Sequence, residues 1–358
     1  MRTISESSNV AVIILNYNGR RCLGKLLDES IGSAVTQSYK NFEVIFADNG
    51  SNDGSIEYVS NRYGNMIKIV ELKKNYGFCL GNNLAAKHVS DDVKYLLFMN
   101  PDVVLSNDYI RKIVSIMECN KLVGIAQGVE ERTKNLDDVF AHIIGGLVTN
   151  YGELVGVDAK ELSLLDADKT RMVTVLWAVG SGMMVKRELF DRLEFSPELF
   201  MYYDELDLCC KALCRGYKTI GITSTTFKHK IGGITSAHKI GCFLWYLYVR
   251  NRLLMTIRYF PVKLLFQSLI AFFADFSINL LRSFKCKDEE ILILRRQRVT
   301  LYIKILLYLA TNLRRESRIR KSHKRVQKLI MNYAIPKDPF SKLDKKGIEN
   351  FLIQHGLW

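Results

Sequence analysis

Val10-Ala11-Val12-Ile13-Ile14-Leu15 runs directly into Asn16-Tyr17-Asn18-Gly19. Six consecutive apolar residues, four of them β-branched, show no polar alternation. They describe a strand covered on both faces, as in a parallel sheet flanked by helices. The polar residues that follow lie at the strand's carboxyl end, the edge where open parallel sheets bind ligands.

The segments on either side support the same sheet. Leu23, Leu26, Leu27 and Ile31 recur at helical spacing, and Phe42–Ala47 reads as a second strand. Residues 67–72 and 95–99 give a third and a fourth, and 123–126 a fifth. Ile110, Ile113, Val114 and Met117 form one face of a helix with Asn107 as its expected N-cap. Strands alternating with helices predict an α/β fold with a mostly parallel open sheet. Residues 128–170 give no regular pattern. Further strands are expected at 173–179, 183–185 and 219–222, and a helix at 204–215 that stops at Gly216.

Two more strand ends carry chemistry. The second strand ends in Asp48-Asn49-Gly50-Ser51-Asn52-Asp53-Gly54 and the fourth in Asn100-Pro101-Asp102. Amides, a ring and carboxylates gathered at one sheet edge can hold a base, a ribose and a metal against a diphosphate; singly, each is an ordinary turn or cap residue. Neither G-x-G-x-x-G nor G-x-x-x-x-G-K-[ST] occurs, so a dinucleotide fingerprint and a P-loop are both excluded.

These residues resemble the opening of family 2 glycosyltransferases. Asn75-Tyr76-Gly77-Phe78-Cys79-Leu80-Gly81-Asn82-Asn83 is similar to a segment of the rhamnosyltransferase-like members, and Asn100-Pro101-Asp102 to their variant of the D-x-D metal motif. Trp177–Gly182, Phe200–Leu208 and His229–Gly233 follow in the family's order, so the resemblance covers residues 10–235. It implies a GT-A fold, Rossmann-like, followed by a C-terminal helical region. The implied reaction is metal-dependent and inverting. It moves a hexosyl or deoxyhexosyl group from a nucleotide-diphosphate sugar to a glycan or lipid-linked acceptor.

The resemblance also assigns roles. Asp48 would accept a hydrogen bond from the base, with Tyr17 stacking and Asn16 or Asn18 placing the nucleoside. Asn75, Gly77, Asn82 and Asn83 would shape the loop around ribose and donor sugar. Asp102, beside Asn100, would bind Mg²⁺ or Mn²⁺, because a hard cation suits carboxylate and phosphate oxygens. His229 would ligate that metal or bind the diphosphate. The base would be Glu205 by position or Asp204 by residue type, at a helix start that favours the ionised form. Asp207, one turn on, would orient the base or bind the acceptor, and Trp177 would either line the acceptor side or fill the core.

The charge is divided along the chain. Residues 1–240 hold 28 Lys+Arg against 29 Asp+Glu, and residues 241–358 hold 23 against 8. The formal net charge of +14 therefore belongs to the last third, which sets a boundary between a catalytic domain, 1–240, and a basic, aromatic-rich region, 241–358. Helices are expected there at 243–259, 262–281, 299–310 and 312–328. Val262–Leu281 is apolar but interrupted by Gln267, Asp275 and Asn279, which suits a helix lying at a membrane interface better than one spanning it. Flanking Arg282, Lys285 and Lys287, with a basic block from Arg314 to Lys328, suggest an anionic membrane surface as partner and no nucleic acid. Eight cysteines without a C-x-x-C pair and a polar N-terminus fit a cytoplasmic protein, peripheral on the membrane's cytoplasmic face. Two other classes stand beside this one. A sugar-phosphate nucleotidyltransferase would want a Gly-rich basic loop where Asn16–Arg21 stands, and a non-enzymatic nucleic-acid or membrane-binding adaptor would depend on the C-terminal charge alone.

Overall fold

The computed structural model describes residues 9–165, 170–233, 241–284, 289–335, 345–355 and 357. It divides into two compact units: residues 1–146, 156–239 and 345–358 form one, and 147–155 with 240–344 the other.

The first unit is a sheet with helices against it. Its first strands are β1 (Asn9–Asn16), β2 (Phe42–Asp48), β3 (Lys68–Glu71), β4 (Val93–Met99) and β5 (Val103–Leu105). Helices α1 (Gly19–Leu23), α2 (Lys25–Val35), α3 (Ser55–Tyr63), α4 (Gly77–Ala86) and α5 (Tyr109–Cys119) connect them. β1 is central, parallel to β2 and β4, and β2 is parallel to β3. Val10 to Ile14 are fully buried, the burial that an unbroken apolar run predicts for a strand covered on both sides. The register sets Asn16 opposite Asp48 and Ile14 opposite Met99, so three strand ends align at one edge.

Beyond β4 the sheet changes character. β6 (Val123–Thr133), β7 (Val139–Thr149) and β8 (Leu154–Asp158) are followed by β9 (Met172–Val175), β10 (Gly182–Lys186) and β11 (Lys218–Lys230). Between these last two come α6 (Arg187–Leu193) and α7 (Asp204–Cys214). β10 is antiparallel to both β4 and β6, and β6 is antiparallel to β7. β11 runs parallel to β6 and antiparallel to β5 and β9. The sheet is therefore mixed rather than mostly parallel. Residues 128–158, which showed no pattern, are largely strand; Glu130-Glu131-Arg132 and Gly145-Gly146 interrupt the apolar alternation that would have revealed them. At α5 the N-cap is Asp108, whereas Asn107 donates its side-chain amide to the Thr36 carbonyl at 2.7 Å.

The second unit holds α8 (Gly241–Tyr259), α9 (Val262–Phe284), α10 (Glu289–Ser322), α11 (Lys324–Leu329) and the short β12 (Ala334–Ile335), which pairs with Val148 and Thr149. Val249, Leu253, Phe272, Tyr302 and Ile305 make its core. Where two helices were expected to meet at residue 311, a single 34-residue helix continues. Thr311 Oγ1 and Asn312 Nδ2 hydrogen-bond back to the carbonyls of Leu307 and Tyr308, so these polar residues leave the helix unbroken. Lys285, Cys286 and Lys287 lie outside the described residues. The last helix, α12 (Lys345–Gln354), groups with the first unit, where the Leu357 carbonyl accepts the Thr174 N–H at 2.9 Å.

Candidate active site

The ends of β1 and β2 are locked together. Asn16 Nδ2 donates to Asp48 Oδ2 at 2.8 Å, and the Ser51 N–H donates to Asp48 Oδ1 at 2.8 Å. Asn18 adopts the left-handed conformation, φ 54°; its N–H donates to Ser51 Oγ, and its Oδ1 accepts the Asn52 N–H. A Cβ at Gly19 would stand 2.1 Å from Asn16 Oδ1, so only glycine leaves that amide its place. Asp48 has no exposed surface here. It braces the turn, and Tyr17 beside it is half-buried.

Asn49 carries the next loop. Its Nδ2 donates to Asn75 Oδ1 (3.1 Å) and the Gly77 carbonyl (3.2 Å), and its Oδ1 accepts the Tyr76 N–H (3.0 Å). Gly77 has φ 75° and faces the Phe200 ring at 2.5 Å from where a Cβ would be. Asn82 and Asn83, expected in a loop around the donor, lie on α4 and are both buried. Asn83 exchanges two hydrogen bonds with the Phe195 backbone, 2.8 and 3.0 Å, and so pins the segment ahead of α7. Asn82 Nδ2 bonds back to the Phe78 carbonyl.

Asp102 meets β11. The turn closed by the Asn100 carbonyl and the Val103 N–H carries it to His229, whose Nε2 lies 3.4 Å from Asp102 Oδ1. That oxygen is buried and has no hydrogen-bond partner. On the other side of the ring, His229 Nδ1 lies 2.6 Å from Glu130 Oε1, and Arg132 Nε donates to Glu130 Oε2 at 2.7 Å. A carboxylate only accepts, so Nδ1 carries a proton; Nε2, directed at Asp102, carries a second while the ring is charged, and a cation bound there would displace it. Burial works against the charged ring, but Asp102 and Glu130 outweigh it and push its pKa up to about 10. Burial likewise opposes ionisation of Glu130, and His229 with Arg132 reverses it, holding Glu130 below the usual range.

This pair fits a divalent cation. An oxygen and an imidazole nitrogen 3.4 Å apart, one of them unsatisfied, match neighbouring ligands of an ion that binds each at about 2.1 Å. A carboxylate behind the histidine is the usual way of fixing a ligand's tautomer. Among the described residues no group of three His, Cys, Asp or Glu side chains could hold a metal, so the other ligands would be substrate oxygens and water.

The acid pair stands at the start of α7, reached through a strained turn. Phe200, Tyr202 and Tyr203 have φ of 66°, 67° and 62°, a conformation that costs bulky residues energy and gathers at functional sites. Asp204 is buried and Glu205 half-buried. Burial first, and then the charge of Glu205, push the Asp204 carboxyl well above its ordinary range, while burial raises Glu205 as well. Of the two, Asp204 is raised the more strongly. Glu205 also feels the charges of Glu130 and Arg132, which ties the acid pair electrostatically to the His229 cluster.

Two expected residues point elsewhere. Asp207 is buried in an ion pair with Lys211 Nζ (2.6 Å) and accepts from Ser196 Oγ (2.7 Å), while Lys211 also caps the Glu194 carbonyl. It fastens α7 to the end of α6. Trp177 is buried in the core and bridges to Gly146 rather than lining an acceptor surface. Conversely, Glu130, Arg132 and Asn49 were not expected. Asn49 stood inside a quoted motif, but nothing in the sequence marks Glu130, which meets His229 across 99 residues.

Known proteins resemble this chain. The family model described as glycosyl transferase family 2 matches residues 11–193. An uncharacterized glycosyltransferase of Haemophilus influenzae is 33% identical over 113 residues, 31% of this chain and 33% of its own length. Rhamnosyltransferase WbbL of Escherichia coli is 24% identical over 153 residues, 40% of this chain and 56% of its own. The chain thus spans only a third to just over half the length of these relatives. The crystal structure of S. aureus TarS 1–349 superposes with a TM-score of 0.50 at 16% identity, over 94% of this chain and 95% of that one, a likeness of fold alone. With the family model matched over more than half the sequence and a GT-A-like sheet carrying these strand ends, the chain belongs to glycosyltransferase family 2.

Proposed function

We propose that this chain transfers a hexosyl or deoxyhexosyl group from a nucleotide-diphosphate sugar to a hydroxyl of a glycan or lipid-linked acceptor, with inversion. The observation that carries this is the juxtaposition of Asp102, His229 and Glu130 with the Asp204–Glu205 pair. Asp102 Oδ1 and His229 Nε2 would hold Mg²⁺ or Mn²⁺, and Glu130 keeps the ring turned towards Asp102. The bound cation would supply charge neutralisation for the departing diphosphate. Glu205 takes the acceptor's proton, being the more exposed and the less protonated of the pair, at the positive end of α7. Asp204, buried beside it and with its carboxyl raised well above the ordinary range, would support Glu205 rather than act as the base. The similarity to a protein named rhamnosyltransferase favours a deoxyhexosyl donor.

The acceptor would be met at the cytoplasmic face of an anionic membrane. This rests on the basic last third and on seven free cysteines among the described residues. The test is a donor screen with Mg²⁺ or Mn²⁺ that scores release of nucleoside diphosphate. Asp102→Ala is expected to abolish turnover, and Glu205→Gln to abolish it while sparing donor binding. Binding of nucleic acid or vesicles that survives Asp102→Ala, with no donor ever turned over, would favour a non-enzymatic adaptor instead.

A further inference from the structure

α9 separates its polar and apolar residues by face. Val262, Phe266, Ile270, Phe273, Ser277 and Leu281 follow one another at intervals of three or four residues, so they form one stripe along the helix. Every one of them is exposed; Phe266 is 61%, Ile270 68% and Leu281 61% accessible. The segment Val262–Leu281 is long and apolar enough to cross a membrane, yet only 17% of it is buried within the protein. Soluble proteins seldom leave a continuous apolar strip of this length bare.

Two of the three residues that make a membrane span costly lie away from the stripe. At 100° per residue, Asp275 and Asn279 fall roughly opposite its centre. Asp275 accepts a hydrogen bond from Tyr302 of α10, and Asn279 Nδ2 bonds to the Asp275 carbonyl at 2.8 Å. Phe272, Leu269 and Phe276 on that inner side pack into the helical core. A helix that spanned a bilayer would have lipid all round it; this one has a side packed on protein, with the exposed Asp275 at its margin, and an apolar, open side. That is the pattern of a helix lying in the interface plane.

Charge identifies what covers the open side. Lys263 is exposed beside the beginning of the stripe. On α10, Arg296, Thr300, Ile303, Leu307, Arg314, Arg318 and Lys321 are all exposed and again share one helix face, apolar in the middle and cationic at both ends. Lys324, Arg325 and Lys328 extend the basic surface along α11. A second copy of the chain would bring the same positive charge to the contact, whereas an anionic bilayer offers hydrocarbon to the stripe and phosphate to the flanks.

We infer that the Val262–Leu281 stripe of α9 is a monotopic docking face that lies in the surface of an anionic bilayer without crossing it. This deepens the reading that the acceptor is met at a membrane and is independent of which sugar is moved. The test uses the full chain with vesicles of phosphatidylcholine alone or with about a third phosphatidylglycerol. Flotation is expected with the anionic vesicles only, is weakened by salt, and is reversed by alkaline carbonate. Ile270→Glu with Phe273→Glu should lower partitioning by about tenfold or more, because each removes a large apolar group from the contact. Both positions are exposed, so circular dichroism and donor turnover on a soluble acceptor should not change.

Failure to float with either vesicle overturns the inference, as does flotation indifferent to the double substitution. Resistance to carbonate would make α9 a span. A stable dimer in solution that the double substitution dissociates would assign the face to a second copy. A chain that turns over donor but never floats ends this inference and keeps the transferase reading; one that floats but turns over nothing does the reverse.

Discussion

The strand-end region and the C-terminal helices bury polar groups in opposite ways. Around β1, β2 and β4, buried atoms are left without partners: Asn16 Oδ1, Asn82 Oδ1 and Asp102 Oδ1. Two carboxyls with raised pKa values stand beside a run of strained aromatic residues. In the helical unit one hydroxyl, Ser268 Oγ, is likewise unpaired, but the buried charges are matched. Arg258 and Glu316, each 1% exposed, form a two-bond pair at 2.7 and 3.2 Å, and Arg320 caps the carbonyls of Ile257 and Phe260. Its exposed surface instead carries the apolar strip. Unmatched polarity inside the sheet unit marks where substrate atoms complete the bonding; unmatched apolarity outside the helical unit marks where a surface is covered.

The contrast can be broken most forcefully at Glu205. If it is the base, Glu205→Gln should lower kcat by about 10²–10⁴-fold with the melting temperature unchanged or raised, measured by nucleoside diphosphate release and calorimetry. In the helical unit the same chemical change should act on stability instead. Glu316→Gln leaves Arg258 buried without its counter-charge and should destabilise by about 3–5 kcal/mol in chemical denaturation. A near-neutral result would show that the pair is hydrated and the matched interior illusory.

Glu130→Gln sharpens the comparison at an intermediate scale. It retains an acceptor for His229 but removes the charge, and should weaken Mn²⁺ binding by about 10–100-fold, read by electron paramagnetic resonance of free Mn²⁺. Unchanged affinity would reduce Glu130 to a packing residue. The smallest effect is expected at Asp204. A buried acid whose pKa is raised on folding keeps its proton while the unfolded chain loses it. Its stability cost is absent below the unfolded value near 3.8 and grows as pH rises towards the folded pKa. Asp204→Asn should therefore stabilise the protein at neutral pH by about 0.5–2 kcal/mol, with the gain fading towards pH 4, and retain most activity. If this variant is inactive while Glu205→Gln turns over, the two roles are exchanged.

Much of the site was legible because some residues act where their own strand or helix ends. The run 10–15 located the central strand, and Asp48 and Asp102 follow from where the apolar stretches stop, whereas Asp204 was marked by the family resemblance. Asp207 and Asn83 carry the same chemistry at neighbouring positions, yet Lys211 with Ser196 and the backbone of Phe195 hold them in architectural bonds. Residue type gave their capacity but not their direction.

By itself, then, the sequence determined the central parallel strands, the polar ends they deliver, the family, and the separation of a neutral α/β region from a basic helical one. Those features are local: an apolar run, a turn, a helix period and a charge count need no distant partner. Only the tertiary structure decided that β10 enters antiparallel between β4 and β6, that Glu130 stands behind His229, and that Asp275 of α9 meets Tyr302 of α10 away from the apolar stripe. Each of these joins residues far apart in the chain through hydrogen bonds whose geometry exists only after the backbone has closed around them, and no local pattern in the residues records it.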